Sequence, residues 1–298
     1  MKKINKSKIF FLVGTTASGK TDVSIELAKK FPIEIINADS LQVFRYLDIG
    51  TAKPSAQVQE KVSHHLIDIL NPDEPFTAKE YKILAEEKAL DVIKRGRIPL
   101  FVGGAGFYLK AISNPISDLP EGRSDIQDQP AAYRTLIEKD PALSTKIHAN
   151  DLYRISRAMF LLEKGILPSR AFEVRNDSEK IFDIEWMGIA WERDDLRKRI
   201  EQRIKLMFEA GLLDETKQVL EKFPNARLRL ERSIGYQECV RVLSKEISVT
   251  QAMEESTIHT HQYAKRQRTW FRKNLAIEWS SFDRAIEAFS RILAKSVE

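Results

Sequence analysis

Residues 14–21 read GTTASGKT: two glycines with four residues between them, then lysine and threonine. Glycines let backbone N–H groups turn inward on phosphate oxygens. Lys20 adds a point charge, Thr21 offers a hydroxyl to a cation, and the helix that opens there adds its dipole. Such a cradle recognises a diphosphate rather than a particular nucleotide. A second candidate is Ala38-Asp39-Ser40. A carboxylate facing the phosphates can take a proton from an incoming nucleophile, although the same triplet also reads as a turn or helix cap. The third is Gly103-Gly104. ATP chemistry asks for an Asp at the end of a second apolar strand, to hold the metal. Here that strand ends in glycines, which bind no metal but let a ligand approach the backbone.

Two basic groupings add to these. Arg199 and Arg203 lie four apart beside the apolar stripe of one helix, where like charges repel slightly. A bound anion answers that repulsion. For Arg199, a solvated face paired with Glu201 or Asp195 serves as well. The segment HTHQYAKRQRTWFRK (259–273) carries five Lys/Arg and no acid, with Tyr263, Trp270 and Phe271 among them. Cations and planar groups together suit a single-stranded RNA loop, and a basic helix that buries its aromatics gives the same pattern. His64-His65 lacks metal-ligand spacing and reads as a packed or polar pair; Cys239 reads as a small core residue.

The elements that must hold these groups alternate. A strand at 9–13 leads into the cradle, a helix covers 20–30, and a strand covers 33–37. A helix over 77–95 precedes a strand over 98–102. Alternation of this kind makes a parallel sheet with helices on both faces, and ligands gather at the carboxyl ends of its strands. The cradle, Asp39 and Gly103-Gly104 all fall at such ends. From about residue 116 the alternation stops, and a helical stretch runs to about 183. This predicts a core of residues 1–115 and 185–298 with an inserted all-helical lobe, 116–184. The chain returns through an apolar run at 186–190 and a helix from about 194 with Leu196, Ile200, Ile204 and Met207 on one stripe. The remainder is expected to be mostly helical.

Composition narrows the class. With 298 residues, 43% hydrophobic and 31% charged, the chain is neither fibrous nor disordered. A net charge of +5 leans mildly towards a polyanionic partner. One cysteine excludes an internal disulfide and a Cys-based zinc site, and it fits a reducing compartment. The apolar run at 9–13 is shorter than the roughly 7–15 residues of a signal core. Nothing approaches the ~18 apolar residues of a membrane span. A cytoplasmic protein is the expectation.

GTTASGKT is followed by NADSLQVFRYLDIGTAKP (37–54), HHLIDILNPDE (64–74) and IPLFVGGAGFYLKA (98–111). RIEQR (199–203), RSIGYQE (232–238) and QYAKRQRTWFR (262–272) come after them. In this order the motifs resemble those of bacterial tRNA dimethylallyltransferases, which place an isopentenyl-type group on N6 of adenosine 37 beside the anticodon. The resemblance implies a P-loop NTPase-like core whose lobe grips the anticodon arm. Gly14, Thr15, Thr16, Ala17, Ser18, Gly19, Lys20 and Thr21 would then bind the pyrophosphate of dimethylallyl diphosphate, with Mg2+ on Thr21. Asp39 would take the N6 proton, Gln42 would contact the base, and Lys20 and Arg203 would hold the departing pyrophosphate.

Asp39, Ser40, Leu41, Gln42 and Ala105 would face the tRNA. So would Tyr153, Arg154, Ile155, Ser156 and Arg157 in the lobe, and Arg232, Ser233, Ile234, Gly235, Tyr236 and Gln237. A cytoplasmic monomer is implied. The chain departs from the family at Ala105, where a threonine is usual, at His261, where an arginine is usual, and in a shortened lobe. Two other classes compete: a P-loop kinase of a small metabolite with Asp39 as base, and an RNA-binding protein with a vestigial cradle.

Overall fold

The computed structural model describes residues 7–113, 119–120, 122–172 and 181–295. It divides into two compact units, Met1–Ser113 with Ile181–Glu298, and Asn114–Lys180. The expected boundary at 115/116 lies outside the described residues. The return at 185 comes too late, because the strand that re-enters the core begins at Phe182.

In chain order the first unit runs β1 (Ser7–Gly14), α1 (Lys20–Ala28), β2 (Ile33–Asn37), α2 (Ala56–Lys61), β3 (His64–His65), α3 (Ala78–Lys94), β4 (Ile98–Gly103) and α4 (Gly106–Ser113). The second unit holds α5 (Gln129–Lys139) and α6 (Leu152–Glu163). The first unit resumes with β5 (Phe182–Ala190), α7 (Arg193–Glu209), α8 (Leu212–Lys222), α9 (Arg227–Leu230) and α10 (Tyr236–Leu243). It closes with α11 (Val249–Phe271), β6 (Ile277–Ser281) and α12 (Phe282–Ala294).

All six strands lie parallel in the order β3-β2-β4-β1-β5-β6. Central strands of such a sheet are covered on both faces, so they read as unbroken apolar runs. β1 shows how the pleat divides one run between two cores. Ile9, Phe11 and Val13 meet Tyr81, Ala85 and Ala89 of α3, Leu109 and Ile112 of α4, and Phe271 of α11. Phe10 and Leu12 face the other way, against Val23 and Leu27 of α1 and Ala285, Phe289 and Leu293 of α12. A third core joins Val43, Phe44 and Leu47 to Leu196, Ile200, Ile204 and Met207 of α7, with Tyr236 and Cys239 of α10. The second unit has its own core of Leu136, Leu143, Ile147, Ile155 and Ala158.

Two strands differ from expectation. β3 is only two residues long and is built from His64-His65, where no periodic signal has room to develop. β6 lies where helix was expected; of its five residues only Ile277 is buried, so it carries no apolar run. Register is what matters for function. Val13 pairs with Gly103, Asn37 pairs with Val102, and Ala38 N donates to Val102 O at 2.9 Å. The ends of β1, β2 and β4 are therefore level, and the loops leaving them meet at one rim.

Candidate active site

A cavity of about 980 Å3 opens at that rim, lined by Thr16 to Asp22, Asn37, Asp39, Gln42, Gly103, Gly104, Arg203 and Tyr263 among others. The loop between β1 and α1 sets its floor. Ser18 is fully buried there, and its Oγ has no hydrogen-bond partner among the described residues. Lys20 Nζ folds onto its own loop, donating to Thr15 O at 2.7 Å and Gly14 O at 3.2 Å. Burial, with Arg203 nearby and Asp39 opposing, brings the Lys20 ammonium down to about 8. Burial also pulls Arg203 down, against Asp39 and reinforced by Arg199. The three residues expected to carry the chemistry thus stand within electrostatic reach of one another.

Asp39 closes a turn with one oxygen and leaves the other uncommitted. Its Oδ1 accepts from Leu41 N at 2.9 Å, closing an Asx turn, while no hydrogen bond reaches Oδ2 among the described residues. Asn37 anchors the turn, accepting from Asp39 N at 2.9 Å and donating to Leu66 O at 3.0 Å. Two phenols sense the carboxylate: burial first, then Asp39, raises both Tyr108 and Tyr263. Gln42 donates through Nε2 to Thr51 O at 3.1 Å, leaving its carbonyl oxygen as the end available to a ligand.

Several residues of the site escape a sequence reading. Arg199 lines the cavity with part of its guanidinium committed to the protein. Its guanidinium lies over Trp191 at 4.4 Å and Phe282 at 5.5 Å, and its Nε donates to Ala17 O at 2.9 Å. Trp191 Nε1 donates to Ser18 O at 3.0 Å, so indole and guanidinium together prop the cradle. Gln267 joins two loops, accepting from Thr16 N at 2.8 Å and donating to Gly104 O at 2.9 Å. Gly103-Gly104 thereby acquires a different meaning from the one expected. A Cβ on Gly103 would fall 2.2 Å from Ala38 O, and one on Gly104 would fall 2.3 Å from Gln267 Nε2. The close approach comes from the protein itself, not from a ligand.

The residues expected to face RNA divide into surface and interior. Ser40 is exposed, Leu41 packs against the third core, and half-buried Ala105 packs against the first. On α6, Tyr153 is 61% exposed with Arg123 4.5 Å above its ring, and Arg154 is exposed. Half-buried Arg157 donates to Gly122 O at 3.0 Å. Ile155 and Ser156 turn inward, one into the core of that unit and one onto Ser124 O. Of residues 232–237 only Arg232 is exposed. Ser233 is buried and donates to Arg229 O, Ile234 is half-buried, Gly235 caps α10, and Gln237 is turned onto Glu238. Tyr236 is fully buried and donates to Glu215 Oε1 at 2.6 Å. Glu215 in turn accepts from the backbone N–H groups of Asp48, Ile49 and Gly50. Tyr236 therefore braces a loop of the cavity from within.

For the aromatics of the basic segment the structure favours the buried alternative. Phe271 is 1% exposed in the first core, Trp270 packs beside it, and Tyr263 lines the cavity. Lys265, Arg266, Arg272 and Lys273 form the exposed face. His65 pairs with Glu34 at 2.6 Å, and His64 bonds Val62 O. Burial pushes the Cys239 thiol up to about 12, leaving it inert. Among the described residues no three His, Cys, Asp or Glu are grouped to hold a metal ion. No helix among them is long and apolar enough to cross a membrane.

Known proteins with this arrangement carry a consistent description. The family model described as IPP transferase matches residues 42–274. A tRNA dimethylallyltransferase 2 of Geotalea daltonii is 38% identical, the alignment covering 96% of this chain and 91% of that one. The tRNA dimethylallyltransferase of Staphylococcus haemolyticus is 37% identical over 94% and 88%. The crystal structure of a full-length tRNA isopentenylpyrophosphate transferase from Bacillus halodurans superposes with a TM-score of 0.74 at 31% identity, covering 98% and 97%. A eukaryotic dimethylallyltransferase caught acting on tRNA gives 0.84 at 28% identity, over 97% of this chain and 78% of that one. A P-loop-type parallel core of this register, matched along nearly its whole length, places the chain in the IPP transferase family.

Proposed function

We propose that this protein transfers a dimethylallyl group from dimethylallyl diphosphate to N6 of adenosine 37 in tRNA. The observation that carries the reading is the juxtaposition of Lys20, Arg203 and Asp39 over an anion cradle whose buried Ser18 hydroxyl lacks a partner. A kinase is disfavoured. The end of β4, where a metal-holding Asp would stand, is sealed by Ala38 and Gln267.

Gln42 and the cavity wall would seat the extruded adenine, whose place in a loop keeps the cost of unstacking modest. N6 then attacks C1 of the donor. The C1–oxygen bond breaks with its electron pair going to the diphosphate, and the N6 proton goes to Asp39 Oδ2. Lys20 and Arg203, both lining the cavity, stabilise the charge that grows on the leaving oxygens. Mg2+ would neutralise part of that charge. Thr21 at the head of α1 is the side chain placed to hold it, its other ligands being phosphate oxygens and water. A monomer acting in the cytoplasm, where tRNA is available, completes the reading.

Incubation with unmodified tRNA, labelled dimethylallyl diphosphate and Mg2+ tests it. Label is expected at one anticodon-loop adenosine with release of pyrophosphate. Phosphoryl transfer from ATP with no response to the prenyl donor would replace this reading with the kinase one.

A further inference from the structure

Gln267 sits on α11 in the middle of a segment with four exposed cations, yet it is 6% exposed. Its amide uses both ends. The oxygen takes the Thr16 N–H and the nitrogen reaches Gly104 O. The two loops it joins leave adjacent strands and both line the cavity. A backbone N–H at the start of a glycine cradle would ordinarily point at phosphate. Here that donor is already engaged by a buried side chain, and releasing it would leave polar groups unpaired on both sides.

We infer that Gln267 is a positioning residue: it withdraws the Thr16 amide from the anion-binding set and fixes the spacing between the diphosphate cradle and the Gly103-Gly104 loop. The anion is then held by Lys20, Ser18 Oγ and the N–H groups of Ala17 and of Gly19 onward, since Ser18 N donates to Thr15 O at 3.3 Å. Residue chemistry explains the choice of glutamine. A carboxylate would still accept from Thr16 but would face the Gly104 carbonyl and the bound anion with like charge. An apolar side chain of the same length would satisfy neither loop. The small Gly104 is a consequence, because nothing larger clears the amide nitrogen.

This inference rests on the diphosphate reading of the cradle, and the test separates the two. Calorimetry of wild type with Mg2+ and pyrophosphate examines the reading itself; no binding there ends it, whatever the variants do. Gln267→Met keeps length and volume and removes both hydrogen bonds. It should weaken pyrophosphate binding and raise the donor KM about tenfold, the order expected for leaving buried polar groups unpaired. Its tRNA Kd should stay within about twofold of wild type, a change under half a kcal/mol. Gln267→Glu should raise the donor KM further, with the defect easing as pH falls and the carboxylate takes up a proton, a response that simple loosening of the fold would not produce. Should Gln267→Met fail to fold, Gln267→Glu alone decides, since an unaltered donor KM with no pH dependence overturns the inference. So does a loss of tRNA binding with donor parameters unchanged.

Discussion

Asp39 closes a turn with one oxygen, the proposed reaction puts the N6 proton on the other, and one substitution separates the two. Asn keeps an acceptor for Leu41 N, and with it the Asx turn, but cannot take a proton. Asp39→Asn should therefore lower kcat about 10²–10⁴-fold, the usual range for a lost general base, while tRNA binding by filter assay changes little. Lys20 makes a prediction in pH. Its ammonium is brought down to about 8 chiefly by burial, so the cation that receives the diphosphate disappears above that pH. The donor kcat/KM, which reports groups of the free enzyme, should fall about tenfold per pH unit beyond 8. Stability moves in the opposite sense. Between about 8 and the ordinary 10.5 the unfolded chain binds more protons at this position than the folded one, so the contribution of Lys20 to stability rises across that window. Thermal denaturation compared with Lys20→Met checks it.

Among the elements, α10 changes its role most. The family resemblance implies an RNA contact at 232–237, but the tyrosine there points into the third core and holds Glu215, which grips the backbone at 48–50. Tyr236→Phe should cost about 1 kcal/mol in urea unfolding, the net worth of one hydrogen bond, and leave the tRNA Kd within about twofold, a change under half a kcal/mol. A tRNA defect with intact stability would return Tyr236 to the RNA face. The strand ends show where local pattern suffices. A parallel, doubly covered sheet needs continuous apolar strands, and those of β1, β2 and β4 are visible without coordinates. Edge strands β3 and β6 are not, because a short, half-solvated strand needs no such run.

The molecule as a whole is mildly basic, and the useful cations are spread between two compact units. On α11, Lys265 and Arg266 are exposed, and we propose that they meet the phosphate backbone. Replacing both with Ala should weaken tRNA binding by a roughly uniform factor and reduce the slope of log K against log salt by about 1.4, near 0.7 per contact on single-stranded RNA. A slope unchanged by the double variant would remove α11 from the interface. The glycine loop, the carboxylate of Asp39 and the level rim of strand ends were legible in the amino-acid order alone. Each is a local pattern, and a parallel sheet leaves little freedom in where such patterns go. The props around them were not. Gln267 meets Thr16 across 251 residues and Arg199 meets Ala17 across 182, while Tyr236 and Phe271 turn inward rather than towards solvent. A residue type states what a side chain can donate, accept or bury. What stands opposite it, and whether water reaches it, is set by how distant segments pack.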